Sequence, residues 1–375
     1  MQCLIHGFIF SLFYGKEAMV IFGGKAFTRE AIKAGESSGL KPAFRNAFEF
    51  CRQWMNGAHS FSIRTSGSTG TPKEISLTRE QVLASVRATR RFFEIGKHSH
   101  LLCCLDTEKI AGKMMLLRAL EWEGSVRVEL PTANPLENSA HESFDFVAMV
   151  PLQVAACFEH PQTREALDRI GILIIGGAAV GPGLRQRIQE LPGKVYQTYG
   201  MTETVSHVAL ANLKSSGPVE YRALPEVRLA VDGTNRLCIQ SPMSGDDWLV
   251  TNDVVEMTSS RTFLWKGRAD FVVNSGGVKL HPEEISQQIA PLVQELFPSS
   301  NFFLTGIPDA GLGEALVLIL EAETDALRGE ELLEAAKALL PKYWNPKAIR
   351  FVPRFCWTST GKIDQFRTLA SWEDE

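Results

Sequence analysis

The 375-residue chain has no dense block of lysine or arginine, and 39 basic against 43 acidic residues leave a formal net charge of −4. An extended phosphate-backbone footprint needs clustered cations, so nucleic acid is not the expected partner. Its seven cysteines, at 3, 51, 103, 104, 157, 238 and 356, form neither a CxxC pair nor a zinc-ligand spacing. An odd number in so long a chain does not make a disulfide framework, and a reducing cytoplasmic setting is expected. The apolar run within MQCLIHGFIFSLFYGKEA has no basic region before it and breaks well short of the roughly 20 residues that span a bilayer. It reads as a buried strand or short helix, with no stable membrane insertion expected; a start at Met19 would remove it. Internal repeats and low-complexity segments are lacking.

A hydrophobic fraction of 45% beside 22% charged residues is that of an ordinary globular protein, and the length favours two or three structural units. Helical spacing over 81–93 follows a capping stretch at Thr78-Arg79-Glu80. A short apolar strand at 101–105, a helix over 111–124 and a strand at 125–130 come next. Further strands at 145–150 and 171–178 enclose a helix at 164–170, and another helix covers 183–191. Such alternation predicts a mainly parallel sheet with helices on its faces. From about 220 to 268 short strands separated by Gly, Asn and Asp turns predict an antiparallel sheet or small barrel. Beyond Asp270 the pattern predicts a hairpin at 271–280, helices at 282–293 and 329–340, and strands at 302–308 and 315–322.

The segment 64-RTSGSTGTPKEISLT-78 holds glycines that let a backbone approach phosphate, hydroxyls that donate, and a lysine that supplies charge. It is no Walker loop, because Thr71-Pro72 separate the glycine from Lys73 and Glu74 follows. Taken alone, a Ser/Thr/Gly run is also what a flexible connection looks like.

Thr65 through Lys73 nevertheless resembles, without a gap, the [ST]SG[ST]TGxPK loop of the adenylate-forming superfamily of acyl-CoA synthetases, aryl-CoA ligases, luciferases and adenylation domains. In that family the loop clamps the β and γ phosphates of ATP, which implies phosphate contacts from Thr65, Ser66, Gly67, Ser68, Thr69, Gly70 and Lys73. Four more stretches follow in the family's order. The turn 176-GGAAV-180 resembles the one along adenine and the acyl pocket, which implicates Gly176, Gly177 and Ala178. In 199-YGMTETVSH-207, similar to the YGxTE motif, Tyr199 with Gly200 would meet adenine, Thr202 the α-phosphate, and Glu203 Mg²⁺. Asp253 and Arg268 stand where the family grips the ribose hydroxyls, with Asp270 at its hinge and Gly276-Gly277 where a pantetheine channel would open. Finally, 359-STGKID-364 resembles the C-terminal motif that carries the catalytic lysine, here Lys362.

The resemblance implies an α/β protein. Residues 1–268 would form a large N-terminal part with mainly parallel sheets flanked by helices and a β-rich subdomain at about 220–268. Residues 269–375 would form a small mobile α+β domain. It implies an ATP-dependent acid–CoA ligase that works through an acyl-AMP, with ATP, Mg²⁺ and coenzyme A, acting on a small carboxylic acid. Compact members with a short N-terminal part include bacterial o-succinylbenzoate–CoA ligases of menaquinone synthesis, and 110-IAGKMMLLRAL-120 resembles their [VS]xGxxxxxR segment. Other aryl- or acyl-CoA ligases, acyl-AMP ligases, and a non-catalytic adenylate-binding protein are the alternatives. A diacid substrate would need a cation or hydroxyls in its pocket. Lys113, Ser206 and His207 are the candidates. Arg118 lies roughly 140° round the helix from Lys113, so the cations there cannot share one pocket, and each is a surface group by default.

Overall fold

The computed structural model describes residues 19–64, 74–298, 300–357 and 363–373. They group into two compact units. One takes the chain to Val180, then Leu184–Leu229 and Ile239–Leu249; the other takes Gly181–Gly183, Ala230–Cys238 and everything from Val250 on. The expected boundary at 268/269 falls inside the second unit.

In the first unit the strands β1 (Met19–Phe22), β2 (Lys25–Thr28) and, across the sheet, β5 (His100–Cys103), β6 (Ser125–Val128), β7 (Phe144–Met149), β8 (Ile170–Ile175), β9 (Lys194–Gly200), β10 (His207–Asn212) and β11 (Glu220–Ala223) lie in the order β11-β10-β9-β8-β7-β5-β6-β1-β2. From β9 to β1 every neighbouring pair is parallel; β2, β10 and β11 join antiparallel at the margins. A separate hairpin pairs β3 (Ser60–Arg64) with β4 (Glu74–Thr78), on either side of the phosphate-loop sequence. Residues 65–73 of that loop lie outside the described residues, as do 1–18.

The parallel strands are buried on both faces, which is why β7 reads FDFVAM with only Asp145 exposed. Helix α1 (Arg29–Ala34) and α2 (Arg45–Met55) precede the hairpin, and α3 (Arg79–Phe93) begins on Thr78 with a reciprocal capping box to Gln81. Helix α4 (Ile110–Glu121) is apolar on all sides and buried at every position from Met114 to Leu120, a helix enclosed by protein. Two proline-started helices, α5 (Pro151–Phe158) and α6 (Pro161–Asp168), stand where the sequence suggested one, and α7 (Pro182–Gln189) follows β8.

The β-rich stretch 220–268 is divided. β11 extends the first unit's sheet, whereas β12 (Arg228–Val231) and β13 (Arg236–Ser241) carry residues of both units. β14 (Gly245–Ser259), a 15-residue strand, forms an antiparallel hairpin with β15 (Thr262–Arg268).

In the second unit a five-stranded sheet contains β16 (Val273–Ser275), β17 (Val278–Leu280), β18 (Phe302–Asp309), β19 (Gly313–Glu321) and β20 (Ala348–Val352). Leu316, Leu318 and Leu320 of β19 face one side, against Ile285, Ile289 and Val293 of α8 (Pro282–Leu296) and Leu332 and Ala336 of α9 (Ala326–Leu339). Val317 and Ile319 face the other, with Phe303, Phe355 and Leu369 of α10 (Gln365–Glu373). The two-residue period of a strand thus builds two cores from one run of leucine, valine and isoleucine.

Candidate active site

In the first unit the residues singled out by sequence gather where β8 and β9 end. The carboxyl ends of parallel strands are where an open α/β sheet binds ligands. Gly176, which donates its N–H to the Met149 carbonyl, and Gly177, at φ 86°, turn the chain out of β8; the following Ala178 is exposed. One strand over, Tyr199 is half-buried and its ring meets Tyr221 edge-on at 5.7 Å. Gly200 lies opposite His207 in the β9–β10 register, and a Cβ there would run into the backbone of Ser206 and His207. Only glycine permits that approach.

Between Gly200 and His207 the chain makes a tight loop that points its residues in two directions. Thr202–Thr204 form one 3₁₀ turn. Thr204 is fully buried and accepts from Met201 N–H at 3.0 Å, and its hydroxyl hydrogen is shared between the carbonyls of Met201 (2.9 Å) and Ser206 (2.8 Å). Val205 then adopts φ 64°, ψ −55°, a γ-turn closed by Ser206 N–H to Thr204 O at 2.6 Å. A β-branched residue there is strained by about 1–3 kcal/mol, which burial of Val205 and the Thr204 hydrogen bonds oppose. The result exposes Glu203, leaves Thr202 half-buried, and turns His207 inward.

Inward lies Arg118 on α4, only 2% exposed. Its Nη2 donates to Ser206 Oγ at 2.9 Å and faces His207 Nδ1 at 3.5 Å, Nη1 reaches Met115 Sδ at 3.7 Å, and the guanidinium lies 5.8 Å from the Phe146 ring centre. Nε has no hydrogen-bond partner, and no ion pair to Arg118 occurs among the described residues. Burial pulls its pKa down to about 9, still high enough to keep the charge at neutral pH. A buried cation without a counter-ion is costly, which makes this one a candidate partner for an anionic ligand. His207 is held well below the usual imidazole range by burial and then by the Arg118 charge, so it is neutral.

Ser206 and His207 therefore come together as expected, but their cationic neighbour is Arg118. Lys113 instead lies with its Nζ 4.3 Å from the Phe50 ring centre, half-buried, and burial lowers its pKa. The surface default for Arg118 is thus overturned; the signal present in the sequence was the apolar run Met114–Leu117 and Ala119–Leu120 that flanks it on both sides.

The second unit holds the other group. Asp253 on β14 and Arg268 on β15 are directly opposite in register. Asp253 is buried and accepts from Trp265 Nε1 at 3.1 Å; Arg268 Nη2 pairs with Asp270 at 2.5 Å. Lys266 bridges Glu256 (2.9 Å) and Glu284 (2.8 Å). Glu283 accepts weakly from Arg268 N–H at 3.4 Å, while its Oε2 is buried without a partner. Burial, with a smaller push from Asp253, raises this carboxyl to about 7 against the pull of backbone hydrogen bonds and the Arg268 charge. Gly276 (φ 58°) and Gly277 (φ 83°) form the two-residue turn between β16 and β17, where both residues need positive φ. Lys362 lies outside the described residues, as do Thr65–Gly70 and Lys73.

Glu203 makes no ion pair among the described residues, and these contain no cluster of three or more metal-ligating side chains. One exposed carboxylate beside a threonine hydroxyl suits Mg²⁺, which is commonly held by one or two carboxylates together with substrate phosphates and water. No helix among the described residues is long and apolar enough to cross a membrane.

Residues 58–240 match the family model "AMP-binding enzyme". A solved acyl-CoA synthetase (AMP-forming)/AMP-acid ligase II-like protein from Dyadobacter fermentans is 40% identical, covering 90% of this chain and 97% of that one, with a TM-score of 0.62. The o-succinylbenzoate CoA synthetase from Bacillus subtilis, solved with its acyl-adenylate intermediate, is 15% identical over 97% of both chains at a TM-score of 0.75, a likeness of fold. The 2-succinylbenzoate–CoA ligase of Enterococcus faecalis is 24% identical over 337 residues, 81% of this chain and 68% of that protein. On the 40% identity and near-complete overlap with the Dyadobacter protein, the chain belongs to the AMP-binding family of AMP-forming acyl-CoA synthetases and AMP-acid ligases.

Proposed function

We propose that this protein is an ATP-dependent acid–CoA ligase whose acid is o-succinylbenzoate. The observation that carries the substrate reading is Arg118: a buried guanidinium with no ion pair among the described residues, beside Ser206 and His207, which one tight turn joins to Thr202 and Glu203. A diacid has a spare carboxylate for that charge once its other carboxylate is engaged in reaction, whereas benzoate and fatty acids do not. A buried site built to pair an anion rejects analogues lacking it, because its own polar groups would be left unsatisfied.

The chemistry has two steps. A carboxylate oxygen attacks the α-phosphorus of ATP, and the bond to the β-phosphate oxygen breaks, giving acyl-AMP and pyrophosphate. The CoA sulfur then attacks the acyl carbon, loses its proton, and expels AMP. The first step concentrates negative charge on phosphate oxygens, so it needs preorganised cations and donors more than a base. Thr202 would donate to the α-phosphate, and Glu203 would hold Mg²⁺, which supplies charge neutralisation when bound. Lys73 and residues Thr65–Gly70 would hold the β and γ phosphates, and Lys362 would stabilise the transition state. Tyr199 and the Gly176–Ala178 turn would flank adenine, Asp253 and Arg268 would take the ribose hydroxyls, Asp270 would serve as hinge, and Gly276-Gly277 would leave room for pantetheine.

The test is ATP-dependent consumption of CoA thiol with o-succinylbenzoate, benzoate and fatty acids in parallel. Turnover confined to the first is expected; turnover of benzoate at the same efficiency would overturn the diacid assignment.

A further inference from the structure

We infer that Thr89, on α3 and outside every motif above, is a positioning residue for acid recognition, acting through His207 on Arg118. The inference rests on the reading of Arg118 as the acid-pairing group, and begins with the direction of each hydrogen bond. Thr89 is fully buried, and its hydroxyl lies 3.1 Å from the Ser85 carbonyl one turn back on the helix. A carbonyl only accepts, so the single hydrogen of Thr89 Oγ1 is committed there. His207 Nε2 lies 3.1 Å from the same oxygen, which can then only accept. The imidazole proton therefore resides on Nε2, and Nδ1 is a bare lone pair.

That lone pair faces two donors. Arg118 Nη2 approaches Nδ1 at 3.5 Å and Ser206 Oγ approaches it at 3.4 Å, while Nη2 also donates to Ser206 Oγ at 2.9 Å. Guanidinium has no acceptor, so the other tautomer would set N–H against N–H, and the doubly protonated ring would add like charge. Both hydrogens of Nη2 are thus engaged by protein. The Nε–H, which has no partner, and Nη1, which meets only the weak acceptor Met115 Sδ, remain as donors. The chain Ser85 O, Thr89 Oγ1, His207, Arg118 fixes one tautomer, and through it the edge of the guanidinium left without a strong protein acceptor. Thr89, His207 and Arg118 are all at most 5% exposed, so water does not substitute for a missing member.

The test compares Thr89→Val, which keeps the shape and removes the acceptor, with Thr89→Ser, which keeps the hydroxyl. On ¹⁵N-histidine-labelled protein, with the His207 signals assigned by their loss in His207→Gln, the wild type should show neutral His207 protonated on Nε2, and Thr89→Val should shift protonation toward Nδ1. The KM for the diacid should rise about tenfold in Thr89→Val, that for ATP should stay within twofold, and Thr89→Ser should restore both readouts. A wild-type His207 protonated on Nδ1, or KM values for acid and ATP that rise together in Thr89→Val, would overturn the inference. Wild-type protein that failed to turn over o-succinylbenzoate would remove the substrate reading instead, and the ¹⁵N spectrum would still decide the tautomer on which this one stands.

Discussion

Two charged groups in this molecule solve opposite problems. Around Arg118 a single cation is buried among Met115, Phe146, Ser206 and a neutral histidine, without a carboxylate partner among the described residues. Around Arg268 and Lys266 each cation is only partly covered and already has its carboxylate, at 2.5 to 2.9 Å. The second arrangement is satisfied by the protein itself. The first has no carboxylate of its own among the described residues, which distinguishes a cation available to pair an anion from cations already paired within the protein.

The largest effect expected from breaking this contrast is in Arg118→Met. Losing the buried partner of the substrate's spare carboxylate should raise the KM for the diacid about 10²–10³-fold, equivalent to about 3–4 kcal/mol. ATP affinity should change little, and the melting temperature of the free protein should hold or rise because an uncompensated buried charge is gone. A marked loss of stability in steady thermal melts would mean that Arg118 serves the fold.

Glu283 is the one member of the second group that behaves like the first, with a buried oxygen lacking a partner. Its folded carboxyl keeps a proton up to about 7, whereas the unfolded one releases it near the ordinary ~4.3. The unfolded state binds fewer protons between those values, so this group lowers stability as pH climbs through that window, with the decline complete above about 7. Glu283→Gln should remove that decline and stabilise the protein at pH 8 by roughly 1–3 kcal/mol, with little difference near pH 4. Denaturation curves at both values check the sign; an equal shift at the two would show that proton binding is not the cause.

The smallest effect belongs to Lys266→Met. It leaves Glu256 and Glu284 without their shared cation, but Lys266 is 23% and Glu256 60% exposed, and solvent screens both. A loss of about 0.5–1 kcal/mol is expected, with the KM for the acid unmoved. A selective rise in that KM would erase the distinction between the two groups.

Much of the machinery was legible because it is local. The Thr202–Glu203 turn, the glycines after β8 and the Gly276-Gly277 hairpin depend on the backbone preferences of a few consecutive residues, so a motif reports them directly. β14 was not legible as a strand: only Asp253 within it was singled out, as a motif residue, because polar residues interrupt its apolar ones and its Asp253–Ser259 stretch is held by pairing with β15. The proposed acid-side cluster was half legible: Ser206 and His207 follow the motif, whereas Lys113 was singled out and Arg118 was not.

The sequence by itself determined the alternation of buried strands and helices, the order of the family's motifs, and the apolar character of α4, which carries Arg118. Only the tertiary structure decided what meets that arginine. Ser206 and His207 are 88 and 89 residues away along the chain and Thr89 is 118 from His207, so no periodicity links them. Packing of α3 and α4 against the end of β10 brings them within hydrogen-bond reach, and burial makes each donor and acceptor count, because water is no longer there to replace a missing partner.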